Sequence, residues 1–155
     1  MIYVIPDTHL GHENIKKYCN RPDGFEKIVE KNWNEIVSDS DTVIHLGDVA
    51  MKINIGDDYV KKLGKWNGRK ILIKGNHDKN PDEFYINAGF VIVVNELAIR
   101  VNNIKILFTH RPQFNHDSDI NIIWRSMMKL DFIFLCHLSI WVINRMRLMI
   151  ILLTA

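Results

Sequence analysis

Four short stretches of this chain put metal-type ligands at the ends of apolar runs: Asp7-Thr8-His9, Gly47-Asp48, Gly75-Asn76-His77-Asp78 and Thr109-His110. In the first, Asp7 and His9 are separated by one residue, so an extended backbone points both side chains the same way. Gly47 lets the chain turn tightly just before the Asp48 carboxylate. Asn76 offers a neutral carbonyl oxygen, and His110 an imidazole one residue past an apolar run. Carboxylate, imidazole and amide oxygen together suit a borderline divalent or trivalent ion such as manganese, iron or zinc, with no need of a soft thiolate. Brought together without a cation, Asp7 and Asp48 would repel each other.

The runs that lead into these stretches read as strands. Residues 2–5 form an apolar strand that Pro6 ends, and residues 42–46, 70–74 and 104–108 follow the same plan. Between the first two, Phe25, Ile28, Val29, Trp33, Ile36 and Val37 trace one face of a helix of about three turns, which Asp39-Ser40-Asp41 breaks. A second helix carries Tyr59, Val60, Leu63 and Trp66, capped by Asp57 or Asp58 and closed by Asn67-Gly68. Pro81 opens a third, which stops near Gly89. Residues 91–94 and 97–101 read as strands, and Asn102-Asn103 as a hairpin turn into the strand before His110. Strands alternate with helices first and form hairpins later, so a mixed α/β domain with parallel and antiparallel strands is expected.

Bulk properties narrow the function classes. At 155 residues the chain is expected to be a single domain, residues 1–155, with a core that needs no staples. A net charge of +2 argues against nucleic acid as a bound partner, leaving it only as a substrate. Cys19 and Cys136 make no disulfide framework, and the chain opens directly on a strand, so a reducing, cytoplasmic setting is expected. The greasy stretch 141–155 is shorter than the ~20 residues of a membrane span, and Arg145 and Arg147 interrupt it, so no membrane partner is expected.

In order and in strand-end placement, the four blocks resemble the calcineurin-like metallophosphoesterase family. His9-Leu10-Gly11-His12 and Cys19-Asn20-Arg21-Pro22 are further similar to its small bacterial and phage-type members. The resemblance implies a four-layer αββα sandwich of two mixed β-sheets flanked by helices. It also implies a dinuclear site, with manganese foremost and iron or zinc as alternatives. Asp7, His9 and Asp48 would hold the first ion, and Asp48, Asn76, His110 and His137 the second. His77 would face the phosphate as the catalytic imidazole, with Asp78 orienting it. The implied reaction is hydrolysis of a phosphate mono- or diester by a metal-bound hydroxide, in which two ions clamp the phosphate and neutralise charge. The substrate partner is a phosphate ester whose identity the residues do not encode.

One block departs from the family. Where it closes its site with Gly-His-x-His, this chain has Cys136-His137-Leu138-Ser139, so a hydroxyl stands where the last imidazole is expected. Residues 138–155 then form an atypical tail without the expected turns and strands, and the C-terminal part of the fold reads as incomplete. A shift of reading frame near Ser139 would account for both features, which the gene's nucleotide sequence tests. These departures support an alternative: an impaired or inactive remnant that binds at most one metal.

Overall fold

The computed structural model describes residues 1–50, 55–101, 103–111, 118, 120–123, 141–143 and 148–150. Strands β1 (Ile2–Ile5), β2 (Thr42–His45), β3 (Arg69–Ile73) and β4 (Phe90–Val94) lie side by side and parallel. Helices α1 (Ile15–Tyr18), α2 (Phe25–Ile36), α3 (Ile55–Gly64) and α4 (Asp82–Ala88) fall between them. A hairpin of β5 (Glu96–Val101) and β6 (Ile104–Thr109), with β7 (Ile120–Ile123) parallel to β6, makes a second sheet. Finally β8 (Trp141–Ile143) and β9 (Leu148–Ile150) return to the first sheet, whose order is β4-β3-β2-β1-β9-β8.

Period-two alternation divides the core between two faces of the first sheet. Tyr3, Ile5, Val43 and Leu72 point towards the helices, where they meet Phe25, Val29, Trp33, Val60, Leu63 and Tyr85. Val4, Ile44, Leu46 and Ile73 point the other way, onto Ile106 and Phe108 of the second sheet. Helices, sheet and second sheet are therefore stacked layers, an α/β fold with two mixed sheets as expected. The fourth expected layer, helices outside the second sheet, lies outside the described residues. Packing the two sheets face to face also aligns the end of β6 with the ends of β1, β2 and β3, where the ligand-type residues sit.

Several local expectations change. Only Phe25, Val29 and Trp33 of α2 are buried, with Val37 just past its end, while Ile28 and Ile36 are exposed. The helix packs on a flat sheet along a narrow stripe, so residues at its flanks turn to solvent. Neither Asp57 nor Asp58 caps α3, because the helix already begins at Ile55. It also stops at Gly64, ahead of Trp66, where Gly64 and Gly89 approach so closely that a Cβ on Gly64 would meet the Ala88 carbonyl. The expectation that the tail lacks strands is corrected by β8 and β9. Both are short β-prone apolar runs, and β9 fills the open edge of β1. Helix α1 and strand β7 had no forecast in the sequence. The hairpin turn holds: β5 and β6 pair antiparallel, and Asn103 takes φ +67°.

Candidate metal centre

Every site residue that lies among the described ones sits just past a strand. Asp7 and His9 follow β1, Asp48 follows β2, Asn76 and His77 follow β3, and His110 follows β6. His137, expected on the second ion, lies outside the described residues, as do Ser139 and His116.

Two of these residues have left-handed backbone: His9 at φ +46° and Asp48 at φ +52°. Non-glycine residues adopt that conformation at a cost, so the surroundings must enforce it. The enforcement is visible. The His9 amide donates to the Asp48 carbonyl at 3.0 Å, and the Leu10 amide to the Val49 carbonyl at 2.9 Å, so the two loops run on as a continuation of the sheet. Asp78 holds the second loop from the other side. Its buried carboxylate accepts from the amides of Asp48 (2.6 Å), Gly75 (2.8 Å) and Val49 (3.1 Å). Burial pushes the Asp78 carboxyl above its ordinary range, while those three donors favour the ionised form. Asp78 therefore ties the β2 and β3 loops together through backbone amides, in place of the expected orienting contact with His77.

Asp48 is the centre of the cluster. Its Oδ1 accepts the His77 amide at 2.9 Å. Its Oδ2 faces three imidazoles: His110 Nε2 at 3.6 Å, His9 Nε2 at 3.9 Å and His77 Nε2 at 3.9 Å. His9 Nε2 lies 3.6 Å from Asp7 Oδ2 as well, and His110 Nδ1 3.9 Å from Asp7 Oδ1. These separations are too long for hydrogen bonds, and those among Asp7, His9 and Asp48 suit atoms that would share one ion. Asp7, His9 and Asp48 each present an atom within 4.8 Å of the others.

Three further details test whether these residues fit a cation. Buried Asp7 Oδ1 and His9 Nδ1 have no hydrogen-bond partner, an unsatisfied state that folded chains seldom leave without a function. His110 Nδ1 lies 2.6 Å from the Leu46 carbonyl, which can only accept, so Nδ1 carries a proton. His110 Nε2 in turn lies 3.2 Å from Asn76 Oδ1, so the two side chains present atoms to the same space. A backbone carbonyl fixing the far nitrogen is the usual arrangement around a metal-bound histidine. The donor set fits. His77 differs from the rest: its side chain is 36% exposed, against 6–13% for Asp7, His9, Asp48 and His110.

Beneath the ligands runs a chain of neutral hydrogen bonds. Thr8, between the two ligands of β1's loop, points away from them and donates its hydroxyl to the Val49 carbonyl at 2.8 Å. It accepts from His45 Nε2 at 3.0 Å, while His45 Nδ1 accepts the Gly47 amide at 3.1 Å. Burial, and then the charges of His9 and His110, lower the His45 pKa to about 3, so the ring is neutral with its proton on Nε2. His45 thus supports the β1 and β2 loops through Thr8 and Gly47.

Arg21 was not forecast as part of the site. Its guanidinium donates to the Thr8 carbonyl at 2.6 Å and to the Asp7 carbonyl at 3.1 Å. Its sequence signal was weak: an arginine ahead of Pro22, after Asn20 in left-handed backbone at φ +51°. His12 has a structural role, accepting the Ile15 amide at 3.0 Å on Nδ1 at the start of α1.

The calcineurin-like phosphoesterase profile matches residues 1–145. The chain belongs to that family. It is 36% identical over 119 residues to an uncharacterized protein, MJ1445, of Methanocaldococcus jannaschii, a match covering 74% of this chain and 61% of that protein. Gene 66 protein of Mycobacterium phage L5 is 37% identical over 79 residues, 46% of this chain and 37% of its own length. Among solved structures, a protein of unknown function, AQ665, from Aquifex aeolicus has a TM-score of 0.61 at 33% identity, covering 72% of this chain and 61% of that one. The chain spans less than two thirds of each of these relatives. As a family member it carries the fold of metal-dependent phosphoesterases and, in Asp7, His9 and Asp48, a group that can hold a metal. No helix among the described residues is long and apolar enough to cross a membrane.

Proposed function

We propose that this phosphoesterase hydrolyses a phosphate mono- or diester at a dinuclear centre. The single observation that carries the reading is the convergence of three imidazole nitrogens on Asp48 Oδ2 at 3.6–3.9 Å, beyond hydrogen-bond reach. Asp7, His9 and Asp48 would hold one ion, and Asp48, Asn76 and His110 the other, with His137 as a further ligand. When bound, the ions supply Lewis-acid neutralisation of the phosphate charge and an acidified water as nucleophile. Manganese suits the mixed carboxylate, imidazole and amide donors, as do iron and zinc.

The remaining chemistry belongs to the chain's own groups. The Asp48 carboxylate would be shared between the two ions, with Oδ1 anchored on the His77 amide. His110 donates Nδ1–H to Leu46 and so offers Nε2 in a fixed direction. Exposed above them, His77 bears its proton towards the departing oxygen and hands it over from Nε2, a role suited to imidazole near neutral pH. The acidic groups and histidines lie at the mouth of a rigid sheet, and selectivity is left to the loops beyond.

The test uses an aryl phosphodiester and the matching monoester with Mn2+. Turnover of at least one ester is expected, with about two ions bound per chain. Asp48→Asn should abolish turnover, because an amide cannot bridge two cations as a carboxylate does. Unchanged turnover in that variant would refute the mechanism, and a chain that binds one ion or none and hydrolyses neither ester would instead be the impaired remnant.

A further inference from the structure

The geometry points to Arg21 as a positioning residue for the turn that carries Asp7 and His9, through which it sets the metal affinity of that turn. This inference rests on the metal-binding reading above.

Asp7 and Thr8 are consecutive, and their carbonyls take the two arms of one guanidinium, at 3.1 and 2.6 Å. A planar fork with donors in fixed directions matches two neighbouring acceptors; an ammonium group cannot engage both with the same rigidity. The fork is itself held. Its Cζ lies 4.9 Å from the centre of the Phe25 ring, a fully buried side chain at the start of α2, and the Arg21 amide donates to the Lys16 carbonyl at 3.0 Å. Arg21 thus connects the ligand turn to the helical layer, whereas the His9 amide and the Thr8 hydroxyl tie it to the β2 loop.

The turn needs such a hold, because His9 is in left-handed backbone without being glycine. With the Asp7 and Thr8 carbonyls fixed, the peptide planes that lead into His9 are fixed too, and Asp7 and His9 converge. Burial of the cation is unfavourable in isolation, and the two carbonyls and the aromatic face offset it. Arg21 ligates nothing, and it acts on metal affinity only through the residues it holds.

Mn2+ alone is the probe. Isothermal titration of the full chain is run on wild type, Arg21→Lys, Arg21→Gln and Arg21→Ala, with circular dichroism and melting temperature as checks of folding. Loss of a residue that orients ligands typically weakens metal affinity by about 10–100-fold, and that range is expected for Arg21→Ala with the ligands all present. Arg21→Lys keeps the charge but not the fork, and should recover only part of the loss; a merely structural role would move melting temperature and leave the folded protein's affinity alone. If Arg21→Ala does not fold, Arg21→Lys and Arg21→Gln decide. Folded variants that bind Mn2+ like wild type overturn the inference while leaving the dinuclear reading intact. A wild-type chain that binds no Mn2+ overturns the dinuclear reading, and this inference with it.

Discussion

Asp78 shows how much of the site depends on one side chain that touches neither ion nor substrate. Its carboxylate serves three backbone amides on two loops. Asp78→Ala would leave those buried donors without an acceptor, and hydrogen bonds to a charged group are each worth about 1.5–3 kcal/mol. Urea unfolding of Asp78→Ala is expected to show a loss of at least about 3 kcal/mol, with weakened Mn2+ binding because Asp48 loses its anchor. His45 yields a pH effect. In the unfolded chain it takes up its proton near pH 6.5, whereas in the folded chain burial lowers its pKa to about 3. Between those values the unfolded state binds the extra proton, so stability falls as pH drops through this window and is unaffected by His45 above it. The slope from this residue reaches about 1.4 kcal/mol per pH unit. Urea midpoints measured from about pH 7.5 down to about pH 4.5 should fall less steeply in His45→Asn than in wild type. The sequence pointed Asp78 at His77 instead, since adjacency to His77 says nothing about amides 29 and 30 residues away.

At the scale of elements, the loops after β2 and β3 touch through glycine. A Cβ on Gly75 would lie 2.1 Å from Asp48 Oδ1 and 2.6 Å from the Asp48 amide, and one on Gly47, already at φ +97°, 2.4 Å from the Gly75 amide. Such overlap with backbone forces a shift, typically at a cost of about 1–3 kcal/mol or more. Gly75→Ala is therefore expected to destabilise the fold and to displace Asp48 from the ions, read by denaturation and Mn2+ titration together; wild-type binding in that variant would show that the loops can part freely. The strands before these glycines were legible because alternation and β-branched residues report local backbone directly. Helix faces were less so. Ile28 and Ile36 match the period of the buried stripe, yet the width of that stripe depends on the surface α2 lies against.

For the molecule as a whole, the site exists because two sheets meet. Asp7, His9, Asp48, Asn76 and His77 come from the first sheet, and His110 arrives on β6 of the second, carried there by the packing of Ile106 and Phe108 on Val4, Ile44 and Leu46. An ion held by residues of both sheets should stabilise the folded chain alone, by about 2.7 kcal/mol at a free concentration one hundred times its dissociation constant. Thermal unfolding is expected to shift upward with Mn2+ and to return with chelator, while Asp48→Asn should show no such shift. An unchanged melting temperature in wild type at saturating Mn2+ would argue that the ion bridges nothing structural.

The sequence alone determined the strand-to-loop plan, the ligand-type residues at the loop starts and the family those residues belong to. Each of these depends on local spacing, which the backbone periods of strand and helix express along the chain. The tertiary structure decided which groups those residues lean on: Asp78 on the amides of two loops, His45 on Thr8, and Arg21 on the carbonyls beneath Asp7 and Thr8. It also decided the left-handed backbone of His9 and Asp48, which Asp and His tolerate better than most residues but adopt only when their surroundings enforce it. The physical reason is that all of these contacts but the Gly75–Asp78 one join residues 13 to 37 positions apart, and only the approach of separate strand ends brings their donors and acceptors within reach.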